Sequence, residues 1–312
     1  MITVIGAGIS GLTTAIVLLE AGYEVQIFTD KLPGKTTSAV AAAIWLPYEV
    51  QPKEKVNHWS LRSYKRFETL CNRPESGVSM VDLTTLIQIE DDAWWKDALP
   101  PGKIRKASAA ELPEKFPLGY ILTVPMIETP IYLAYMLRQF QEAGGVITKQ
   151  KADSLAPFTT DDNIVVNCAG LGSRELVQDK SMYPIQGQIV KAMPQVDAKY
   201  IVAEFTFGEA RTELAYVFPR KDCLVLGGTA VKGAASTEPD PLVSEGIVKR
   251  CQAIHPDLPL TGIKNTVVGL RPGRPEIRLE REGNIIHNYG HGGGGFTVSW
   301  GCAEEVKSLI HL

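Results

Sequence analysis

At 312 residues the chain exceeds the size at which a single hydrophobic core keeps growing, so two lobes sharing a cleft are expected. With 45% hydrophobic and 21% charged residues and a net charge of −3, it has no electrostatic reason to bind nucleic acid or an anionic membrane, which points to a small-molecule partner. The five cysteines, Cys71, Cys168, Cys223, Cys251 and Cys302, form no CxxC pair, which argues against a zinc site or a disulfide framework and fits a reducing compartment.

Ile2 to Ile5 reads as a short buried strand. Ile9 to Ala21 then places Leu12, Ala15, Ile16 and Leu19 on one helix face, and Gly22 stops the helix. Glu24 to Thr29 is a second strand closing on Asp30, which completes a parallel strand, helix, strand unit. After Pro47 the pattern becomes irregular, so a second lobe is expected to begin near residue 50. Pro130 to Glu142 predicts a helix ended by Gly144-Gly145, with a strand at Val146 to Lys149. Ile164 to Gly170 is an apolar run ending in small residues, as in a central parallel strand whose carboxyl end faces a ligand. Gln188 to Ala192, Ala215 to Pro219 and Cys223 to Gly228 predict an antiparallel sheet, and Phe296 to Ile310 a closing helix opened by a glycine run.

Gly6-Ala7-Gly8-Ile9-Ser10-Gly11 matches GxGxxG and sits between a predicted strand and a predicted helix, the context that makes this motif specific. Gly6 permits the tight turn, Gly8 lets a pyrophosphate approach the backbone, and Gly11 allows close helix-to-strand packing. Asp30 is placed to accept hydrogen bonds from a ribose. The motif alone does not separate FAD from NAD.

A second signature follows in Val268-Gly269-Leu270-Arg271-Pro272-Gly273-Arg274-Pro275-Glu276-Ile277-Arg278-Leu279-Glu280 and His287-Asn288-Tyr289-Gly290-His291-Gly292-Gly293-Gly294-Gly295-Phe296-Thr297. Together with the first fingerprint, Val40 to Tyr48 and Val166 to Gly170, these segments resemble the D-amino-acid oxidase family in the same order along essentially the whole chain. The resemblance implies an α/β fold: a Rossmann-type lobe with a parallel sheet (1–48, 131–182 and 279–312) holding FAD, and a substrate lobe (49–130 and 183–278) on a largely antiparallel sheet. It implies that Tyr216 and Arg278 hold the substrate carboxylate and that the Gly293 carbonyl meets the amine. Its FAD contacts would be Gly6, Ala7, Gly8, Ile9, Ser10, Gly11, Asp30, Lys31, Thr36, Thr37, Ser38, Ala42, Ala43, Ile44, Ala152, Arg278, Gly292, Gly293, Gly295, Phe296 and Thr297.

An arginine fork matches a carboxylate bidentately and a phenol adds a third hydrogen bond, which agrees with these roles. As a bare residue, however, Arg278 reads more readily as a surface arginine paired with Glu276, Glu280 or Glu282. The glycine run would aim backbone N–H groups and a helix dipole at the flavin's N1 and C2 carbonyl region, with Thr297 adding a hydroxyl. The reaction implied is hydride transfer from the α-carbon of a neutral amine to flavin N5, with dioxygen as final acceptor. It gives a 2-oxo acid, ammonia and hydrogen peroxide and needs no acid–base residue. His287 and His291 are therefore expected in turn or packing roles, and no metal is expected.

Leu46 and the Arg211-Thr212-Glu213 segment depart from vertebrate members, which carry a glutamine and a lid tyrosine there. Leu46 favours neutral, medium to bulky D-amino acids, whereas Arg211 at the pocket mouth would suit an acidic side chain, as in D-aspartate oxidases. Alternatives are a glycine- or sarcosine-type amine oxidase and, more remotely, a nucleotide-binding protein without turnover. The partners expected are a D-amino acid and dioxygen, with a homodimer left open. The opening Met1-Ile2-Thr3-Val4 lacks a secretory signal and the closing Ile310-His311-Leu312 lacks a peroxisomal tripeptide, so a cytoplasmic location is expected.

Overall fold

The computed structural model describes residues 1–48, 50–88, 94–160, 163–195, 197–205, 207–208, 210, 212–258 and 260–311. Arg211 lies outside the described residues. Two sheets organise the chain.

The first sheet joins β1 (Ile2–Ile5), β2 (Val25–Thr29), β6 (Val146–Lys149), β7 (Ile164–Asn167), β14 (Arg278–Glu282) and β15 (Ile285–Tyr289) in the order β14-β15-β7-β1-β2-β6. Every pairing is parallel except the terminal β14–β15 ladder. Buried on both faces, β1 and β7 read as the near-continuous apolar runs that central parallel strands require. The helix α1 (Ile9–Glu20) leaves the end of β1, and α3 (Thr129–Glu142) and α6 (Gly295–Leu309) pack against it.

The second sheet contains β3 (Val78–Leu86), β4 (Ile104–Lys106), β5 (Gly119–Ile127), β8 (Tyr183–Ala192), β9 (Tyr200–Ala203), β10 (Glu213–Pro219), β11 (Leu224–Thr229), β12 (Val231–Lys232) and β13 (Ile263–Gly273). Its main order is β8-β11-β10-β9-β3-β5-β4, with β13 along the other edge of β8 and only the β9–β3 pair parallel. One face packs on α5 (Pro241–Ile254), whose first turn is capped by the Asp240 carboxylate accepting from the Leu242 and Val243 amides. The opposite face looks toward the first sheet. A short helix, α4 (Ser173–Leu176), follows β7.

The expected α/β architecture is present, but the irregular stretch after Pro47 contains an unforeseen helix, α2 (Lys53–Leu70). Its buried residues Val56, Trp59, Ser60, Ser63, Tyr64, Phe67 and Leu70 follow helical spacing. Serines at two of those positions hide the stripe from a hydrophobicity pattern. They are small because α2 lies close to α6: a Cβ on Gly301 would sit 2.3 Å from the Trp59 carbonyl oxygen, and Ser63 Oγ accepts from the Gly301 amide at 3.0 Å.

Candidate active site

A cavity of about 690 Å³ opens between the carboxyl ends of the parallel strands and the face of the second sheet. On the parallel side it is lined by Gly6, Ala7, Gly8, Ile9 and Ser10, by Asp30 and Lys31 after β2, by Thr36, Thr37, Ser38, Ala42, Ala43 and Ile44, by Ala152, and by Gly292, Gly293, Gly295, Phe296 and Thr297. Of the expected cofactor contacts, only Gly11 and Arg278 stand outside this lining. Gly11 acts one layer back, because a Cβ there would come 1.9 Å from the Gly6 carbonyl oxygen. Gly6 itself turns at φ +106°, where a side chain would meet the Cys168 carbonyl at 2.6 Å.

The local sequence leaves this wall rich in exposed main chain. The first turn of α1 carries neither an acidic residue nor a side-chain cap from its N-cap Gly8, so its positive end faces the cavity. Ser38, from the strap between β2 and α2, accepts from the Ile9 amide at 2.9 Å and holds that strap over the turn. The N-terminus of α6 is similarly uncapped at Gly294. Behind it, His291 Nε2 lies 2.9 Å from Asn288 Oδ1, Asn288 donates to Thr14 Oγ1, and Ser10 Oγ donates to the Asn288 carbonyl, which ties the glycine loop to α1. Burial pushes the His291 imidazole down to about 4, so it is neutral at ordinary pH and serves in packing. The Thr297 hydroxyl donates to the Leu46 carbonyl at 3.0 Å and accepts from the Leu46 amide at 3.2 Å. Thr297, on the cavity lining, thus holds the Leu46 strap in place.

The opposite wall is made of side chains. Tyr216 pairs across strands with Gly227 and Val202, and Arg271 pairs with Ile185 on the far side of β8. Three glycines make room for them: a Cβ on Gly187 would meet Arg271 Nη1 at 2.4 Å, one on Gly227 the Tyr216 Cζ at 1.9 Å, and one on Gly228 the Tyr216 Oη at 3.1 Å. The guanidinium thus lies over β8 and the phenol over β11, near enough for the arginine's charge to act on the phenol. The guanidinium donates from Nη1 to the Thr229 carbonyl at 2.9 Å. Burial raises the Tyr216 phenol above its ordinary value while the neighbouring Arg271 charge pulls the other way, so the hydroxyl stays protonated.

Arg278, the expected carboxylate ligand, is elsewhere. It opens β14 opposite Tyr289, donates to Glu280 Oε1 at 2.6 Å and to the Tyr289 hydroxyl at 3.0 Å, and is paired with Glu282. The Tyr289 hydroxyl in turn donates to Asp179 Oδ2 at 2.9 Å, which also receives Arg274 Nε at 3.0 Å. The physical reason is the crossover between β13 and β14: the chain leaves the second sheet at Gly273 and re-enters the first at Arg278, so the arginines of one motif are divided between two sheets. The arginine that reaches the cavity is Arg271. The sequence signal for it was strand alternation, which places Gly269 and Arg271 on the same face. His287 is buried in β15 with Nε2 3.2 Å from Glu282 Oε2, outside the cavity. Among the described residues no cluster could hold a metal ion and no helix is long and apolar enough to cross a membrane.

A glycine turn at an uncapped helix, an acid after the second strand and a deep cleft define a dinucleotide-binding protein. The family model described as FAD dependent oxidoreductase matches residues 1–309, and the chain belongs to that family. It is 40% identical over 313 residues to a D-amino-acid oxidase of Rubrobacter xylanophilus, covering 98% of this chain and 94% of the relative. It is 34% identical to a D-aspartate oxidase of Homo sapiens over 330 residues, covering 99% and 94%. A solved structure of glycine oxidase from Geobacillus kaustophilus superposes with a TM-score of 0.81 over 99% of this chain and 94% of that one, at 16% identity, a likeness of fold. FAD is the cofactor of the family, and the residues fit it: the α1 end, with no cap from Gly8 and only the Ile9 amide taken by Ser38, suits the pyrophosphate, and Asp30 on the lining suits a ribose.

Proposed function

We propose that this chain catalyses the FAD-dependent oxidative deamination of D-amino acids to 2-oxo acids, ammonia and hydrogen peroxide. The observation that carries the reading is the neighbouring Arg271 and Tyr216 side chains in the cavity lining. A planar guanidinium and a neutral phenol side by side form a three-donor receptor for a carboxylate in a site where water competes weakly. Handedness comes from the relatives named for D-amino acids.

When bound, FAD supplies the hydride acceptor and dioxygen takes the electrons onward as peroxide. The chain's own residues orient the substrate. Arg271 and Tyr216 fix the carboxylate, the Gly293 carbonyl accepts from the amine in this reading, and Ile189, Val202, Leu214 and Phe218, on the same lining, enclose the side chain in an apolar wall that excludes water. That wall supports medium to bulky side chains. An acidic side chain finds no cation at Glu204, which lines the same cavity.

Peroxide release with D-alanine, D-valine, D-aspartate, glycine and L-alanine tests the reading. Turnover of the two neutral D-amino acids well above the others is expected. Preference for glycine or L-alanine would overturn it.

A further inference from the structure

Glu204 lines the cavity, and the reaction leaves it unused. It follows β9 directly, and its amide continues the ladder by donating to the Leu86 carbonyl of β3 at 2.8 Å. Extending the register that pairs Tyr216 with Val202 sets Glu204 opposite Leu214, on the face that carries Tyr216. At the edge of the cavity its Oε1 is buried without a hydrogen-bond partner, and no ion pair reaches the carboxyl among the described residues. Burial alone pushes this acid up to about 8. An unpartnered buried carboxyl costs stability unless a ligand completes it.

The geometry points to Glu204 as the residue that selects the substrate's side chain, favouring D-amino acids with a cationic group at the end of a long chain. This assignment rests on the proposed D-amino-acid oxidation. From the Tyr216 hydroxyl over Gly228, Glu204 lies two strands away across β11, β10 and β9, which is about 10 Å at the usual strand spacing. With its own side chain reaching inward, Glu204 meets the tip of a four-carbon substrate side chain held by its carboxylate at Arg271, and misses a one-carbon one. A substrate ammonium or guanidinium gives the carboxyl its missing partner and stabilises its ionised form. A substrate carboxylate offers the acid no opposite charge to pair with.

The test is kcat/KM for D-lysine, D-norleucine and D-glutamate at one fixed pH, with D-norleucine as the uncharged counterpart of lysine. Wild type is expected to prefer D-lysine over D-norleucine by about tenfold or more, the scale of one charge-assisted contact, and to take D-glutamate least. In Glu204→Gln the D-lysine to D-norleucine ratio should collapse to one or below, with bound-flavin absorbance reporting that the protein is folded. Glu204→Ala gives the same comparison if the first variant loses FAD. A wild-type ratio at or below one, or a ratio that survives both substitutions, overturns the assignment. Failure to oxidise any of these D-amino acids would instead sink the underlying reaction.

Discussion

On its parallel side the cavity offers a ligand mostly main chain: the turn at Gly6–Ser10, the uncapped end of α6 and a strap held by Ser38. On the other side it offers side chains from β8, β9, β10 and β13, cleared by glycines on β8 and β11. On the proposed reading the first wall recognises phosphate and ribose through donors that any sequence possesses, provided nothing obstructs them. The second, on the same reading, recognises a particular small molecule through the placement of Arg271, Tyr216 and Glu204. Substitutions should therefore fail differently on the two sides: by obstructing the backbone on one, and by moving a side chain on the other.

The largest effect is expected at Gly11. A methyl there would collide with the Gly6 carbonyl oxygen at 1.9 Å, and main chain on both sides cannot yield cheaply. Gly11→Ala should cost about 3 kcal/mol or more and release FAD, read as a lower thermal midpoint and loss of the flavin bands from the protein. A yellow variant of wild-type stability would contradict the close helix-to-strand approach.

Acid should weaken the same wall next. His291 is held neutral, with its folded value near 4 below the ordinary 6.5, so the unfolded chain binds the proton first as pH falls. The stability that His291 contributes is full above pH 6.5 and is lost as pH drops through 4. Between pH 7 and 5 wild type should lose about 2 kcal/mol more than His291→Gln, measured by urea unfolding. Parallel losses in the two proteins would show that the imidazole is not the responsible group.

On the sheet side, Gly187→Ala should be gentler. Its methyl would press on the Arg271 guanidinium at 2.4 Å, the far end of a flexible side chain, so the fold survives while the carboxylate receptor shifts. The Michaelis constant for D-alanine should rise about tenfold with FAD retained, the penalty of one displaced hydrogen-bonding group. An unchanged constant would place the carboxylate away from Arg271.

The same contrast governs how much of the molecule is legible in the chain alone. Phosphate recognition needs glycines, an apolar strand and a helix within one short stretch, so the Gly6–Gly11 turn and Asp30 stand out by local pattern. Substrate recognition is assembled by register among strands distant in sequence, which local pattern does not encode. Arg271, Arg274 and Arg278 lie in one signature with equal chemistry, and only the crossover from β13 to β14 sends the first into the cavity and the last to Glu280, Glu282 and Tyr289. The alternative reading of Arg278 as an ion-paired arginine is the one its surroundings support. Glu204 gives no signal because a glutamate after an apolar strand reads as a solvated strand end. The α2 helix escapes notice because Ser60 and Ser63 interrupt its stripe where Gly301 needs close approach.

The contrast between the two walls turns on which arginine holds the substrate, and Arg271→Leu beside Arg278→Leu decides it. The Michaelis constant for D-alanine and the bound-flavin absorbance are measured on both. Arg271→Leu should raise the constant by about 100-fold or more while keeping FAD, since it leaves a buried carboxylate unpaired. Arg278→Leu, which removes pairs to the exposed Glu280 and Glu282 and the hydrogen bond to the Tyr289 hydroxyl, should change it by less than about twofold and cost about 2 kcal/mol of stability. The reverse pattern, with Arg278→Leu abolishing substrate affinity and Arg271→Leu preserving it, would contradict a carboxylate receptor built on Arg271.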